Sequence, residues 1–157
     1  MINEIQLHEG MIIIQDVDKH GTIVKEEVIY NRVMNDWLNE VITMLVGTSS
    51  NDYEMGYLAF GTSATSITDA DTQLSAEVFR TPVVAINKID VGRVQSTFFL
   101  ADTEALFNIK EIGFFCGSAA TGAANTGRML SRILWNRDRT SGAAAINFTR
   151  IDTIGRK

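Results

Sequence analysis

The stretch at residues 104–116, EALFNIKEIGFFC, constrains the fold of this chain more than any other part of it. In an extended strand, alternate side chains point to opposite faces. Here both faces carry large apolar residues, Phe107 and Ile109 on one and Ile112 and Phe114 on the other. A strand of this composition is covered on both sides, so the pattern predicts a β-rich, packed body.

Other β-branched and apolar runs recur at short spacing along the chain. The first two, at residues 11–16 and 22–29, are joined by a loop that contains Gly21, and they predict a hairpin. A long run at residues 74–90 contains the only proline, Pro82, which has no N–H to donate. That strand must therefore be an edge, or be kinked, at Pro82. Further strands are predicted at residues 56–61, 93–101, 128–136 and 143–150.

One segment has the period of an α-helix. From Asn31 onwards the apolar residues recur at helical spacing, and Asn31 is a residue type that caps a first turn. Gly47 is suited to end the helix in a left-handed conformation. Polar residues interrupt the apolar face, so we expect the helix to lie on the body. The apolar face consists of Met34, Leu38, Val41, Ile42 and Leu45, widened by Trp37 and Met44.

These signals predict a mainly β fold. We expect an antiparallel β-sandwich, jelly-roll-like, of about seven or eight strands, with one amphipathic α-helix at about residues 31–46. A chain of 157 residues that is 45% hydrophobic can bury one core. The prediction is thus a single domain over residues 1–157, made of an N-terminal hairpin (1–30), a helix (31–47) and a β body (56–152).

Composition argues against several classes of function. The formal net charge of −5 disfavours a nucleic-acid partner, because a phosphate backbone would be repelled. The single cysteine, Cys116, stands in an apolar strand, which favours a buried and inert thiol. We find no signal-peptide pattern and no apolar run long enough to span a bilayer, so we expect a soluble chain with no membrane partner and no secretion by the usual signal.

Metal ligation finds little support in the residue spacing. Asp69 and Asp71 lie in a hydroxyl-rich segment, but a calcium site needs about six oxygen ligands and no calcium-loop pattern is present. His8 and His20 have no third ligand at a recognisable spacing. Capping turns and solvated histidines are the preferred interpretation, and we assign no metal ligands.

A glycine pair at residues 122–127 has the spacing of a phosphate-binding P-loop. Arg128 and Met129 stand where that motif needs a lysine and a hydroxyl, so we expect no nucleotide there. No nucleophile, base and orienting acid can be assembled from the sequence either. We therefore predict no enzyme activity, no cofactor and no catalytic residues.

Several short motifs between residues 58 and 132 are similar to those of tailed-bacteriophage virion proteins. The pattern resembles the N-terminal domain of phage tail fibre or tail-collar fibre proteins and covers roughly residues 31–150. Lys110 stands where those proteins usually have arginine, and we expect no shaft or receptor-binding tip within residues 1–157. The matching motifs are LAFGTS at 58–63, a Thr-Asp-rich turn at 68–74, EVFR at 77–80, IKEIGF at 109–114 and GRMLSR at 127–132.

The resemblance implies a β body that binds copies of itself and other virion proteins. The first hypothesis is a non-enzymatic structural protein of the tail, collar or baseplate, an attachment or fibre-base module within the virion, assembled in the host cytoplasm. A head (capsid) decoration protein is the alternative in the same class, and a small-ligand or carbohydrate-binding module is the alternative outside it. A homotrimer is expected first and a hexameric ring second, with contacts through the loops at 62–72 and 117–127.

Charged residues in apolar strands need partners, because an unpaired buried charge costs several kcal/mol. Glu111 stands in the most apolar strand, and Glu77 and Arg80 recur with it in the family pattern. We predict that Glu111 is paired with Arg80 or Arg132 in a structural role.

Overall fold

A computed structural model of the chain describes residues 9–48 and 52–154. Over these ranges the backbone forms nine β-strands and one α-helix, so the fold is mainly β as predicted. The sequence predicted seven or eight strands, and the additional ninth strand is the short β3, which was not predicted. In chain order the elements are β1 (Glu9–Val17), β2 (Ile23–Tyr30), β3 (Arg32–Val33), α1 (Asn35–Val46), β4 (Met55–Gly61), β5 (Glu77–Asp90), β6 (Arg93–Leu100), β7 (Asn108–Cys116), β8 (Arg128–Asp138) and β9 (Ala145–Thr153).

All neighbouring strands are antiparallel, in the order β2-β1-β9-β6-β5-β4-β7-β8-β3. The nine strands form one sheet that is nearly closed into a barrel, and its two halves face each other as the sheets of a sandwich do. We call the sheet made of β2, β1, β9, β6 and the second half of β5 the open sheet. The sheet made of the first half of β5, β4, β7, β8 and β3 is called the covered sheet.

The chain passes from one sheet to the other at two corners of the sandwich, once within β5 and once between β2 and β3. In β5 the partner changes from β4 to β6 between Pro82 and Val83, so the ladder breaks at the proline as the sequence predicts. At the opposite corner β2 pairs with β1, while β3 pairs with β8. Asn31 lies at that corner, where its N–H donates to the carbonyl of Gly10 at 3.0 Å.

The core between the sheets is rich in aromatic residues. Phe148 of the open sheet lies between Phe60 and Trp135 of the covered sheet, with ring centroids 5.6 and 5.8 Å away. Phe98 and Phe114 form another such contact at 5.5 Å. These tilted and edge-on contacts between the two inner faces hold the sheets together.

A second, smaller core lies on the outer face of the covered sheet. Leu74, from the loop between β4 and β5, packs there against Ala59 and Phe115. Residues 111–116 of β7 are consequently all buried, facing one core or the other. This confirms the prediction that the strand is covered on both faces.

The helix differs from its prediction at the start and in its packing. It begins at Asn35 after Met34, without a side-chain cap, so the cap assigned to Asn31 is wrong. The N–H of Asn35 instead donates to the carbonyl of Asp69 at 2.9 Å. Gly47 ends the helix at φ 80°, as expected. The described residues contain no helix of the length and apolarity that crossing a membrane requires.

The apolar face of the helix is not packed on the body as predicted. Met34 is buried and Trp37 half-buried, but Ile42 is 52% and Leu45 82% exposed. The helix contacts β8, and the N–H of Met34, directly before the helix, donates to the carbonyl of Leu130 in β8 at 3.1 Å. Helical period thus identifies an apolar face without specifying whether another element covers it.

Candidate functional site

Glu111 of β7 lies at the centre of a buried polar network. Its carboxylate accepts a hydrogen bond from Nε of Arg132 at 2.8 Å, and also from the backbone N–H groups of Ser75 and Ala76 at 3.2 and 2.8 Å. The side chains of Glu111 and Arg132 are 0% and 1% exposed. Of the two arginines expected near Glu111, Arg132 is therefore the partner in the structure.

Arg132 also holds the loop at residues 62–76. Its guanidinium donates to the carbonyl of Thr65 at 3.1 Å, to Oγ of Ser75 at 3.0 Å and to Asp71 at 2.7 Å. A guanidinium carries several donors in a rigid plane, which suits it to bind several loop atoms at once. The loop is thereby attached to β8 at separate points along its length.

The carboxylate of Asp71 has a second source of stabilisation. Thr68 donates to it through both its hydroxyl, at 2.6 Å, and its N–H, at 3.1 Å. Burial by itself would raise the pKa of Asp71, but hydrogen bonds from Thr68 and Arg132 outweigh that effect and hold the pKa below its ordinary value. Asp71 is thus kept ionised beside its arginine.

Two glycines make room for this arrangement. A Cβ on Gly61 would lie 2.5 Å from Oε1 of Glu111 and 2.6 Å from the carbonyl oxygen of Ala76. A Cβ on Gly113 would lie 2.8 Å from a methyl group of Leu74. Both glycines are required by close approach of neighbouring atoms.

A second network holds the loop at residues 117–127. Arg80 and Glu77 form a bidentate pair at 2.6 and 2.8 Å, and their side chains are almost fully buried. Nη1 of Arg80 donates to the carbonyls of Thr121 and Thr126, each at 3.0 Å. Arg80 also lies over the ring of Phe115 at 4.5 Å. Glu77 and Arg80 are therefore paired with each other, and Arg80 is not the partner of Glu111.

The glycine pair with the spacing of a P-loop, Gly122 and Gly127, lies in this loop. The N–H of Asn125 donates to the carboxylate of Glu77 at 2.9 Å, and the N–H of Thr121 donates to Oγ1 of Thr126 at 2.9 Å. Between the two glycines, the N–H of Asn125 is thus used by a carboxylate of the chain itself and does not face an open phosphate site.

Two more buried arginines were missed by the sequence reasoning. Arg150 forms a bidentate pair with Asp152 at 2.7 and 2.6 Å within the open sheet. Arg139 donates to the carbonyls of Ala101 and Ala144 at 2.7 and 2.8 Å. The strict alternation of β9 places Arg150 on the same side as Phe148, which is a usable sequence signal. Arg139 lies in a turn and offers no such signal.

The aspartates considered for calcium have cationic partners. Asp69 pairs with Arg32, and Asp71 pairs with Arg132. No group of three potential metal ligands occurs within residues 9–48 and 52–154. His20 lies exposed in the β1–β2 turn, whereas His8 falls outside the described residues.

Cys116 lies at the end of β7 and faces the core between the sheets. Burial raises the pKa of its thiol to about 12. The thiol donates to the carbonyl of Arg128 at 3.3 Å. A protonated, enclosed thiol of this kind is a poor nucleophile.

A cleft of about 420 Å³ lies at the end of the sandwich, beside α1 and the β5–β6 turn. Trp37 and Tyr53 form one wall, with ring centroids 5.4 Å apart and planes inclined at 59°. Tyr53 accepts a hydrogen bond from Arg128 at 2.9 Å. The remaining wall is mostly apolar and is formed by Met55, Ile86, Val94, Leu130 and Ile154, with Lys88, Arg93 and Asp152 at its polar parts.

Comparisons with known proteins do not place the chain in a family, since no family model, curated protein or solved structure matches it.

Proposed function

We propose that this chain is a non-enzymatic structural protein of a tailed-bacteriophage virion, acting as an attachment or fibre-base module of the tail, collar or baseplate. One observation carries the proposal. The residues of the motifs that resemble fibre proteins, including Leu74, Glu77, Arg80, Glu111 and Arg132, meet on the outer face of the covered sheet. Residues far apart in sequence thus form one continuous loop-supporting structure.

The role of this structure is to hold the loops in one conformation. Its charges are paired and enclosed, and its hydrogen bonds end on loop backbone atoms at Thr65, Ser75, Thr121 and Thr126. Such an arrangement presents a loop in one shape, which lowers the entropy that binding would otherwise cost. The loops at 62–72 and 117–127 are therefore suited to contact a neighbouring subunit or another virion protein.

The proposed assembly is a homotrimer, with a hexameric ring as the second choice, placed in the virion after assembly in the host cytoplasm. Closed cyclic oligomers are the usual form of soluble homo-oligomers. The proposal includes no nucleic-acid or membrane partner, because the chain carries an excess of negative charge and no basic cluster.

The test is to purify particles from a culture that produces virions encoding this chain, with and without its gene. We expect the chain in fixed copy number in the complete particles, and cryo-electron microscopy should show density at the tail, collar or baseplate that disappears in the deletion. Density on the capsid would instead support a head decoration protein. Absence of the chain from washed particles would overturn the virion role.

The cleft beside Trp37 favours the ligand-binding module as a second candidate. Its walls are largely apolar and its two aromatic rings are inclined to each other, so it provides no flat platform for a sugar. A small apolar ligand would suit it better than a carbohydrate. Because Trp135 is buried in the core, a ligand-dependent change in tryptophan emission that is lost in Trp37→Phe would support this candidate.

A further inference from the structure

The outer face of the open sheet has an unusual composition for a surface exposed to water. The strand registers place its outward side chains in rows across four or five strands. Glu26 is the one charged residue in three successive rows, and Gln15 donates to it at 2.7 Å. The rows are Tyr30, Met11, Ile151, Gln95 and Asn87; then Val28, Ile13, Thr149, Thr97 and Ala85; then Glu26, Gln15, Asn147 and Phe99.

The apolar members of these rows take no part in the packed interior. Within the part of the chain that the structure describes, Met11, Ile13, Val28 and Ile151 belong to neither hydrophobic core. Tyr30 is 63% and Val28 46% exposed. An antiparallel sheet with one solvated face normally places polar and charged residues there. This face combines apolar and uncharged polar groups, which is the composition of an interface.

We infer that this face packs against the same face of a further copy of the chain. A contact of this kind joins copies in pairs, so it is additional to the cyclic contacts of the proposed trimer, and it does not require the virion role. A net charge of −5 makes any two copies repel each other, so close approach is favoured where a face carries almost no charge. A neutral face opposite its own copy also satisfies the self-complementarity that a symmetric contact needs.

The size of the face is sufficient for a specific contact. Five strands about 4.8 Å apart and about six residues of roughly 3.4 Å each give a footprint of roughly 500 Å² per copy. Two such footprints amount to roughly 1,000 Å², which is near the lower limit of specific interfaces. We therefore expect reversible association at micromolar concentration.

The free edge of the same sheet is protected against the competing contact. β2 is the terminal strand of the sheet, and its central residues are Lys25, Glu26 and Glu27. Charged residues on an edge strand discourage pairing with another strand. The contact between copies should therefore form face to face rather than through β2 hydrogen bonds.

The test measures the mass of the purified chain by light scattering and sedimentation between about 1 and 200 μM. We expect the wild type to associate and Val28→Lys to weaken that association by at least about tenfold, because it places a charge in an uncharged contact. The matched control is Leu134→Lys, since Leu134 is a strand residue of similar exposure (42%) on the covered sheet. It should leave association unchanged.

Two further variants complete the test. Thr149→Glu, in the middle row of the face, should also dissociate the copies, and a normal thermal transition must show that it is folded. Ser66→Arg, on the exposed loop at 62–72, separates this inference from the loop contacts proposed above. A wild type that stays monomeric would overturn the inference, as would association that survives both Val28→Lys and Thr149→Glu. Dissociation by Ser66→Arg alone would assign the contact to the loops.

Discussion

The two sheets of the sandwich differ in what covers their outer faces. The covered sheet carries Glu77, Arg80, Glu111 and Arg132, and each of these charges lies buried in contact with a loop. On its outer face the open sheet carries mainly uncharged and apolar side chains. Within the described residues, the apolar side chains Met11, Ile13, Val28 and Ile151 belong to neither core. Charges are tolerated inside the covered layer because loop backbone groups complete their hydrogen bonds. The outer face of the open sheet lacks such loops, and Glu26 is the one charged residue in its three rows described above.

The largest expected effect comes from removing the arginine beneath the covering loop. Arg132→Met leaves Glu111 and Asp71 without their cation, which should cost about 3–5 kcal/mol and lower the melting temperature by roughly 6–20 °C. The control is Arg32→Met, because the Arg32–Asp69 pair is about half exposed and should contribute little. Equal melting temperatures for Arg132→Met and wild type would show that the network does not stabilise the covered face.

The next effect concerns the fit of the loop onto β7. Gly113→Ala places a methyl group against Leu74 and should cost about 1–3 kcal/mol through overpacking. Gly122→Ala is the matched control, since a Cβ there meets nothing within 4 Å. Chemical denaturation of both variants measures the difference. If Gly122→Ala lost as much stability as Gly113→Ala, close packing under the loop would not be the reason for the glycine.

A smaller effect should appear in acid. The folded pKa of Asp71 lies below its ordinary value of about 3.9, so its contribution is complete above that pH and is lost as the pH falls through the folded pKa. The stability difference between wild type and Asp71→Asn should therefore be constant near neutrality and shrink below about pH 4. Thr68→Ala removes one donor to Asp71 and should shift this loss to higher pH. A difference that does not change with pH would contradict the role of the ionised carboxylate.

The smallest expected effect concerns the reactivity of cysteine thiols and does not involve a change in stability. With a pKa of about 12, Cys116 should stay unmodified by iodoacetamide at about pH 8 in the folded protein and react after denaturation. A cysteine introduced as Val28→Cys on the open sheet should react quickly in dilute solution and more slowly as the protein concentration rises. Mass spectrometry identifies the modified position. Rapid native labelling of Cys116 would show that the interior opens readily.

Much of the fold follows from local patterns. The alternation around Ile112 and Phe114 indicated a strand buried on both sides, and Pro82 indicated the break at which β5 changes sheets. Gly47 marked the end of the helix. These features depend on the backbone preferences of one or a few neighbouring residues, and such preferences can be read directly from a sequence.

The start of the helix could not be predicted in the same way. Asn31 is a good capping residue by type, yet the corner between β2 and β3 uses it, and the helix begins later against the carbonyl of Asp69. The exposure of Leu45 was equally unpredictable, because helical period shows only that a face is apolar. Both outcomes depend on residues distant in sequence.

The candidate site, too, could be predicted from the sequence only in part. The need for a partner at Glu111 follows from the cost of an isolated buried charge, and it was predicted together with two possible partners. Only the strand register decided that Arg132 reaches Glu111 while Arg80 turns to Glu77 and the loop at 117–127. Arg139 was missed altogether, because its partners are carbonyl groups, which every residue has.

What the sequence determined by itself is the set of local requirements: strands, a helix, breaks, and charges that need partners. The tertiary structure alone decided which sheet receives the loops and which face stays uncovered, because that choice depends on how nine strands are ordered. A period of two residues divides the side chains of a strand between two faces, but it does not identify the outer one or what lies above it. The neutral composition of the open face became meaningful only when the register aligned Tyr30, Ile13 and Thr149 with their neighbours on one surface.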